Sequence, residues 1–350
     1  MEFSVKEVKN NVPNVCIIIL NWNSWGDTID CLKSLFNIKY TNYDILIVDN
    51  ASEDDSVNKI VQYLKNIGFK FSFFEYNSKT KHIKCIYETE NNISELGSTS
   101  PRITIIENDN NYGFAKGNNI GIEYTNKNPI LDYILLLNND TIVDEEVLNN
   151  LINVAELKHK IGFVGPKVYY HDFNGRKDII NFAGGSLNMW KGQASHNGIN
   201  ELDKGQFDTI KEVDYVQGSC ILFKKEIIKK VGLMNSDYFM YWEEVDWCVR
   251  GLEMGYKSVF APKAKIWHKI SSSSGGSLSF NVIYYLTRNR FIFMKKNASK
   301  SQSCLFLLYF LFFDIWVNLI FFLKEKNKNA CMGFFKGFKE GIYYTLIIQE

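Results

Sequence analysis

Three carboxylates, Glu243, Glu244 and Asp246, follow an aromatic run in Tyr238-Phe-Met-Tyr-Trp-Glu-Glu-Val-Asp-Trp-Cys-Val-Arg250. Phe239, Tyr241 and Trp242 are placed to screen these acids from water. A screened carboxylate is favoured in its neutral form and can serve as a general base toward a hydroxyl. Val245, Val249 and Leu252 recur at helical spacing and Gly255 supplies a stop, so the spacing predicts a helix after Trp242 with the acids in its first turn. Acids there also interact favourably with the positive helix end, by about 0.3–1 kcal/mol each. A further acid, Asp140, follows the apolar run Tyr133-Ile-Leu-Leu-Leu137 within Asn138-Asn-Asp-Thr141. A carboxylate flanked by amide side chains at a strand tip is a hard-oxygen site suited to Mg²⁺ or Mn²⁺ carrying a diphosphate. Its other reading is a cap for a helix starting near Asp144.

The elements that position these residues alternate. Val15-Cys-Ile-Ile-Ile-Leu20 has the continuous apolar character of a strand covered on both faces, and it ends in Asn21-Trp-Asn23. A helix is expected over residues 25–36, then a second buried strand, Asp44-Ile-Leu-Ile-Val-Asp49, closing on Asp49-Asn50-Ala-Ser52. Ser52 or Asp54 is expected to cap the next helix, which runs to Gly68. Open α/β sheets bind ligands at such C-terminal strand tips.

Residues 69–102 leave this rhythm and read as an insertion, with a hairpin as its expected form. The pattern resumes at Arg102-Ile-Thr-Ile-Ile-Glu107, followed by Asn110-Asn-Tyr-Gly113-Phe114-Ala-Lys116-Gly-Asn118-Asn119 and a helix to about Thr125. Small residues and amides at a strand-to-helix turn let backbone approach a ligand and offer it N–H donors. The glycines lack the dinucleotide spacing, which disfavours a Rossmann oxidoreductase. Residues 158–213 read as loop-rich.

With 350 residues, 46% of them hydrophobic, the chain has ample material for a core, and a net charge of +1 gives no footprint for nucleic acid. Seven cysteines show no metal-type pairing and read as reduced, buried thiols. The polar first 14 residues carry no apolar signal-type core, so the catalytic part is expected in the cytoplasm.

Together these residues resemble the family 2 glycosyltransferases, and most closely their rhamnosyltransferase-like branch, over about residues 15–296. The resemblance implies a GT-A fold, a Rossmann-like, mostly parallel sheet flanked by helices, and inverting transfer from a nucleotide-diphospho-sugar. It implies that Asn21, Asn23, Asp49 and Asn50 meet the nucleotide, with Gly113, Phe114, Lys116, Asn118 and Asn119 in the turn beneath it. Asn138-Asn-Asp140 resembles the Asp-X-Asp metal motif, with Asn138 in place of the first acid and Asp140 in the metal position. Asp214-Tyr-Val-Gln-Gly218-Ser-Cys-Ile-Leu-Phe223 resembles the strand lining the donor sugar and acceptor. Glu244 stands where the family usually has the basic Asp, with Asp246 and Glu243 also candidates. His268, before Ser271-Ser-Ser-Ser-Gly-Gly276, resembles the family's metal-ligating histidine, and residues 271–277 its closing loop. Arg288-Asn-Arg290, on a helix with Tyr284 and Tyr285, is read as a phosphate contact, a support for that loop or a solvated basic face.

Residues 304–323 are long and apolar enough to cross a bilayer, but Asp314 and Asn318 share one face of them and lysines flank both ends. A helix lying on the cytoplasmic face of the membrane satisfies both facts better, with 334–348 beside it. The expected organisation is therefore a tail (1–14), a transferase unit (15–296) and a helical, membrane-associating extension (297–350). Expected partners are the nucleotide-sugar, a glycan or lipid-linked acceptor, the cytoplasmic membrane surface and a second copy. A nucleotidyltransferase is disfavoured because no glycine-rich basic loop follows the first strand, and a sugar-nucleotide-binding scaffold without turnover is the remaining alternative.

Overall fold

The computed structural model describes residues 12–89, 101–269 and 278–347. The 271–277 loop expected to close over the site lies outside them. In chain order the first half comprises β1 (Val15–Asn21), α1 (Trp25–Leu35), β2 (Tyr43–Asp49), α2 (Ser56–Asn66), β3 (Phe71–Asn77), β4 (His82–Glu88), β5 (Ile103–Asn108), α3 (Gly113–Asn126), β6 (Tyr133–Asn138), β7 (Thr141–Val143) and α4 (Val147–Ala155). The second half comprises β8 (Ile161–Tyr170), β9 (Ile180–Phe182), β10 (Gly185–Asn188), β11 (Gln193–His196), β12 (Lys211–Val213), β13 (Cys220–Lys224), α5 (Glu226–Lys230), α6 (Glu243–Glu253), β14 (Lys257–His268), α7 (Phe280–Asn297), α8 (Lys300–Tyr309), α9 (Ile315–Lys324) and α10 (Lys328–Ile347).

One sheet runs in the order β12-β14-β8-β13-β6-β1-β2-β5-β3-β4. Its centre, β6-β1-β2-β5-β3, is parallel. Ile17, Ile18, Ile19, Ile45, Leu46, Ile47, Leu135 and Leu136 are all buried, as continuous apolar strands between two helical layers require. β13 then enters antiparallel between β6 and β8. The register Leu20↔Asn138 and Asn21↔Asp49 brings the polar ends of three strands to one edge.

Some local expectations are corrected. The segment 158–213 is loop-rich as expected, but Gly165 and Pro166 lie inside the ten-residue β8, where a Cβ on Gly165 would sit 2.7 Å from Val216. The glycine is there for close packing and does not mark a turn. The N-cap of α2 is Asp55, while the Ser52 hydroxyl donates to Asp49 and Asp54 accepts from the Ser56 amide. Near Asp144 the carboxylate receives the Glu146 amide, and α4 begins only at Val147. Cys85 and Cys304 are exposed, one on the edge strand β4 and one on an outward helix face. Cys16, Cys31, Cys220 and Cys248 are buried.

The C-terminal helices close against α7. α8 and α9 form one continuous rod through a π-turn at Phe310–Asp314. Asp314 faces inward, its Oδ2 2.5 Å from a guanidinium nitrogen of Arg290, which also lies over the rings of Phe306 and Phe310. Neither the phosphate contact nor the solvated face expected for 288–290 describes this arginine. Burial draws the Arg290 pKa down against the pull of Asp314. Removing one partner of such a pair strands a buried charge, so Asp314→Ala is expected to cost about 3–5 kcal/mol. The double change Arg290→Met with Asp314→Leu should cost far less in the same urea-unfolding experiment, and equal losses would show that charge compensation is not what the pair supplies.

Candidate active site

The strand tips are knitted together by amides. Asn21, fully buried, donates to the Asp49 carboxylate at 2.6 Å and to Ser52 at 3.2 Å, and its carbonyl accepts from Thr28 at 2.7 Å and Asn139 at 3.2 Å. Asp49 also receives the Ser52 amide and hydroxyl, at 2.8 and 2.7 Å. Burial nevertheless pushes its pKa upward. Asn23, with φ of 49°, accepts from the Glu53 amide at 2.7 Å and so joins the loop after β1 to the loop after β2. Asn50 donates to Asn111 at 2.9 Å and to the Gly113 carbonyl at 3.1 Å, while its own carbonyl accepts from Asn108 and the Tyr112 amide. These side chains fix the loops in relation to one another.

The turn into α3 is closed from above. The Phe114 amide donates to the Phe239 carbonyl at 2.6 Å, and Gly113, with φ of 72°, has no room for a Cβ, which would lie 2.3 Å from that oxygen. The first amides of α3 are thus partly taken by protein, against the expectation that they serve a ligand. Asn119 exchanges two hydrogen bonds with the Met234 backbone, at 2.7 and 3.2 Å, and Asn118 donates to the Phe114 carbonyl at 3.0 Å. Lys116 lies over the Tyr112 ring at 3.9 Å.

The acidic stretch forms the first turn of α6, as its spacing predicts. Its entry is unusual: Tyr241 and Trp242 are both left-handed, with φ of 68° and 77°. For large side chains each such conformation costs about 1–3 kcal/mol and persists only where neighbours over-determine it. Here the fully buried Asn289 of α7 donates to the carbonyls of Met240 and Tyr241, at 2.8 and 3.0 Å, and Trp242 packs on Phe293 with ring centroids 4.9 Å apart.

The three acids separate by environment. Asp246 is saturated, receiving Arg250 at 2.8 Å, Asn297 at 2.9 Å and Tyr238 at 3.4 Å. Glu243 is buried, and burial first and the charge of Glu244 next push its pKa well up. Glu244 is half-buried and also shifted upward by burial, an effect its nearby backbone amides, including that of Gly218, partly offset. Its Oε2 has no hydrogen-bond partner among the described residues. A Cβ on Gly218 would lie 3.8 Å from the Glu244 carboxyl carbon and 3.6 Å from the Phe114 ring. The neighbouring Ser219 carbonyl accepts the Asn138 amide at 2.9 Å. Gly218 is therefore where the α3 turn, the β6 tip and Glu244 converge.

Beside Asn138, Asp140 Oδ1 lies 3.0 Å from His268 Nε2, across the β7–β14 ladder that pairs His268 with Thr141. Lys269 locks the end of β14 to α1 through Asp27 and Asp30, at 2.9 and 2.8 Å.

The family model for "glycosyltransferase like family 2" matches residues 80–282, more than half of the chain, and that for "glycosyl transferase family 2" matches residues 16–84. The chain belongs to glycosyltransferase family 2. Among curated relatives, it is 25% identical over 206 residues to a low-salt glycan biosynthesis hexosyltransferase of Haloferax volcanii, covering 57% of this chain and 62% of that one. It is 25% identical over 197 residues to the dTDP-rhamnosyl transferase RfbF of Shigella flexneri, covering 53% and 61% respectively. The match thus spans about 60% of the length of these relatives. Among solved structures, the mannosyltransferase PcManGT of Pyrobaculum calidifontis, in complex with GDP-Man and Mn²⁺, superposes with a TM-score of 0.58 at 12% identity, covering 100% of this chain and 92% of that one. The 1–349 fragment of S. aureus TarS with UDP-GlcNAc gives 0.53 at 12%, covering 95% and 81%. These likenesses give the family 2 chain its GT-A fold.

The family 2 chain has no cluster of three or more His, Cys, Asp or Glu ligands among its described residues. Asp140 and His268 nonetheless offer a carboxylate and an imidazole side by side, and His268 Nδ1 is buried with no hydrogen-bond partner among the described residues. Two such donors suit a divalent ion whose remaining ligands come from a diphosphate and water. Asn289 and the Phe239 carbonyl are site supports that sequence reading missed. The first was legible only as part of a basic triplet, and a backbone carbonyl carries no side-chain signal.

Two outcomes test this geometry. Gly113→Ala should destabilise the fold by at least about 1 kcal/mol, since both φ and the Phe239 carbonyl oppose it; unchanged thermal unfolding would contradict the close approach. Glu243 binds its proton more tightly folded than unfolded. Stability should therefore fall as pH rises from the ordinary carboxyl value of about 4.3 toward the raised folded value. Glu243→Gln should flatten that fall and unfold at higher temperature than the parent at about pH 8, with near-equality at about pH 4.

Proposed function

We propose that this chain is an inverting glycosyltransferase that moves a sugar, rhamnose foremost, from a nucleotide-diphospho-sugar to a hydroxyl of a glycan or lipid-linked oligosaccharide in cell-surface polysaccharide synthesis. The convergence at Gly218 carries the reading: a half-buried carboxylate with one oxygen unpartnered among the described residues, an aromatic ring and the β6 tip meet around a residue without a side chain. The catalytic unit is residues 15–296, acting from the cytoplasmic side, with 297–350 as its extension.

Glu244 is the base in this reading. It accepts the acceptor hydroxyl proton as that oxygen bonds to the anomeric carbon, while the bond from that carbon to the diphosphate oxygen breaks and its electron pair leaves with the nucleotide. Attack from the opposite face inverts the centre in one displacement. Asp246, tied to Arg250 and Asn297, holds α6 in place. Asn138 and the tip residues Asn23, Asn50 and Lys116 border the donor, with Asn21 and Asp49 fixing the loops that receive it. Asp140 and His268 would hold Mg²⁺ or Mn²⁺, which when bound offsets charge on the leaving diphosphate. Mn²⁺ accompanies the nucleotide ligands of two structural neighbours, PcManGT and GalNAc-T7. Rhamnose is favoured by the Shigella relative and by the rhamnosyltransferase WbbL of Escherichia coli K12, 26% identical over 216 residues. A poly-β-1,6-N-acetyl-D-glucosamine synthase of Staphylococcus epidermidis, 22% identical over 275 residues, makes N-acetylglucosamine the donor to test beside it.

The test is transfer and nucleotide release from a donor panel, with Mg²⁺, Mn²⁺ or chelator. Glu244→Gln should lower kcat by about 10²–10⁴-fold with donor binding retained, and Asp140→Ala should remove the response to metal. Full activity of Glu244→Gln would reject Glu244 as base, and donor binding without turnover in the parent would favour the scaffold alternative. Because burial raises the Glu244 pKa, and the base acts ionised, the acidic limb of the kcat/KM profile should fall above the ordinary carboxyl range. A limb near pH 4 would contradict it.

A further inference from the structure

The rod from Lys300 to Lys324 has two faces of opposite fate. Inward, Phe306, Phe310, Asp314 and Phe322 are buried along nearly its whole length. Phe306 and Phe310 meet Phe291 of α7, with ring centroids 5.0 and 4.8 Å apart, and Phe310 and Phe322 meet Phe334 of α10, at 5.7 and 5.9 Å. Outward, Phe312, Phe313, Trp316, Val317 and Ile320 are each 57–67% exposed. Their spacing makes one stripe, a contiguous aromatic and aliphatic surface of the kind that marks an interaction site.

Charge decides what covers it. Residues 295–340 hold eight lysines against three acids. Of those acids, Asp314 is spent on Arg290, and Glu340 receives the Tyr284 hydroxyl. Lys295 and Lys300 at one end and Lys324, Lys326 and Lys328 at the other are exposed. A second copy laid on this stripe would bring like charges together at its ends, whereas a surface of anionic headgroups complements them. Geometry decides how the stripe is covered. A rod seated on α7 and α10 along its inner face cannot cross a bilayer without drawing those helices, and the Arg290 pair, in with it.

We propose that this stripe is a monotopic membrane seat: α8 and α9 lie in the plane of an anionic leaflet, with Trp316 and its neighbours in the acyl boundary and the terminal lysines among headgroups. The seat concerns where the enzyme stands, so it is independent of which sugar is moved, and its failure would leave the transfer reading intact.

The test is flotation of the full chain with vesicles of phosphatidylcholine alone or with 30% phosphatidylglycerol, beside mass measurement in solution. Binding should be at least about tenfold tighter to the anionic vesicles. Trp316→Glu with Ile320→Glu should abolish it while leaving thermal unfolding and donor turnover unchanged, since both side chains face out. Lys324→Glu with Lys326→Glu and Lys328→Glu should reduce anionic binding to the neutral level. Absence of binding to either vesicle would overturn the proposal. So would a dimer that the Trp316/Ile320 variant dissolves without any vesicle binding, which would assign the stripe to a second copy. Retention in the bilayer after alkaline extraction would overturn it in favour of a crossing helix.

Discussion

The grip of Asn289 on the carbonyls of Met240 and Tyr241 is the contact on which the site depends. Two large residues in succession adopt left-handed backbone there, a conformation the local chain would not choose. The cost is met by an amide presented from a different helix, so α6 starts where it does only because α7 is docked. The same loop sends the Phe239 carbonyl to the α3 amide, so the acidic turn and the glycine turn are fixed by one segment. The proposed base role of Glu244 would need close placement more than an unusual chemical group, and main-chain hydrogen bonds fix the turn that carries it.

Polar residues at the strand tips divide into two kinds. Asn21, Asp49 and Asn50 have nearly all their hydrogen-bonding capacity engaged within the protein and act as struts. Among the described residues Glu244 and His268 each keep one buried atom without a hydrogen-bond partner, as Glu243 and Asn108 also do. Burying a polar atom unsatisfied is expensive, so each such position calls for an explanation.

Much of this was legible in the residues. Continuous β-branched runs such as Val15 to Leu20 announced buried parallel strands, and the acids after Trp242 announced the first turn of α6, because both signals are local and periodic. Local punctuation misled where packing, not turning, required the residue: Gly165 and Pro166 sit within a long strand because Val216 presses on it. Ranking Glu243, Glu244 and Asp246 was beyond sequence. Their difference lies partly in Asn297, 51 residues away, for Asp246, and in a glycine, Gly218, for Glu244. Asp314 read as an obstacle to crossing a bilayer, and only the position of Arg290 shows what it answers.

The π-turn at Phe310–Asp314 sets the phase of the C-terminal rod. Sixteen residues separate Phe306 from Phe322, and over that distance an ideal α-helix would rotate the second aromatic about 160° away from the first. A wide turn that absorbs one extra residue takes back about 100° of this, leaving both rings on the same side of the rod. Straightening the turn into regular α-helix without removing that residue would wind Phe322 out and carry part of the outer stripe into the protein, whereas deleting the residue would leave both rings on the same side. The wide turn, by absorbing one supernumerary residue, thus keeps the two halves of the rod in rotational register.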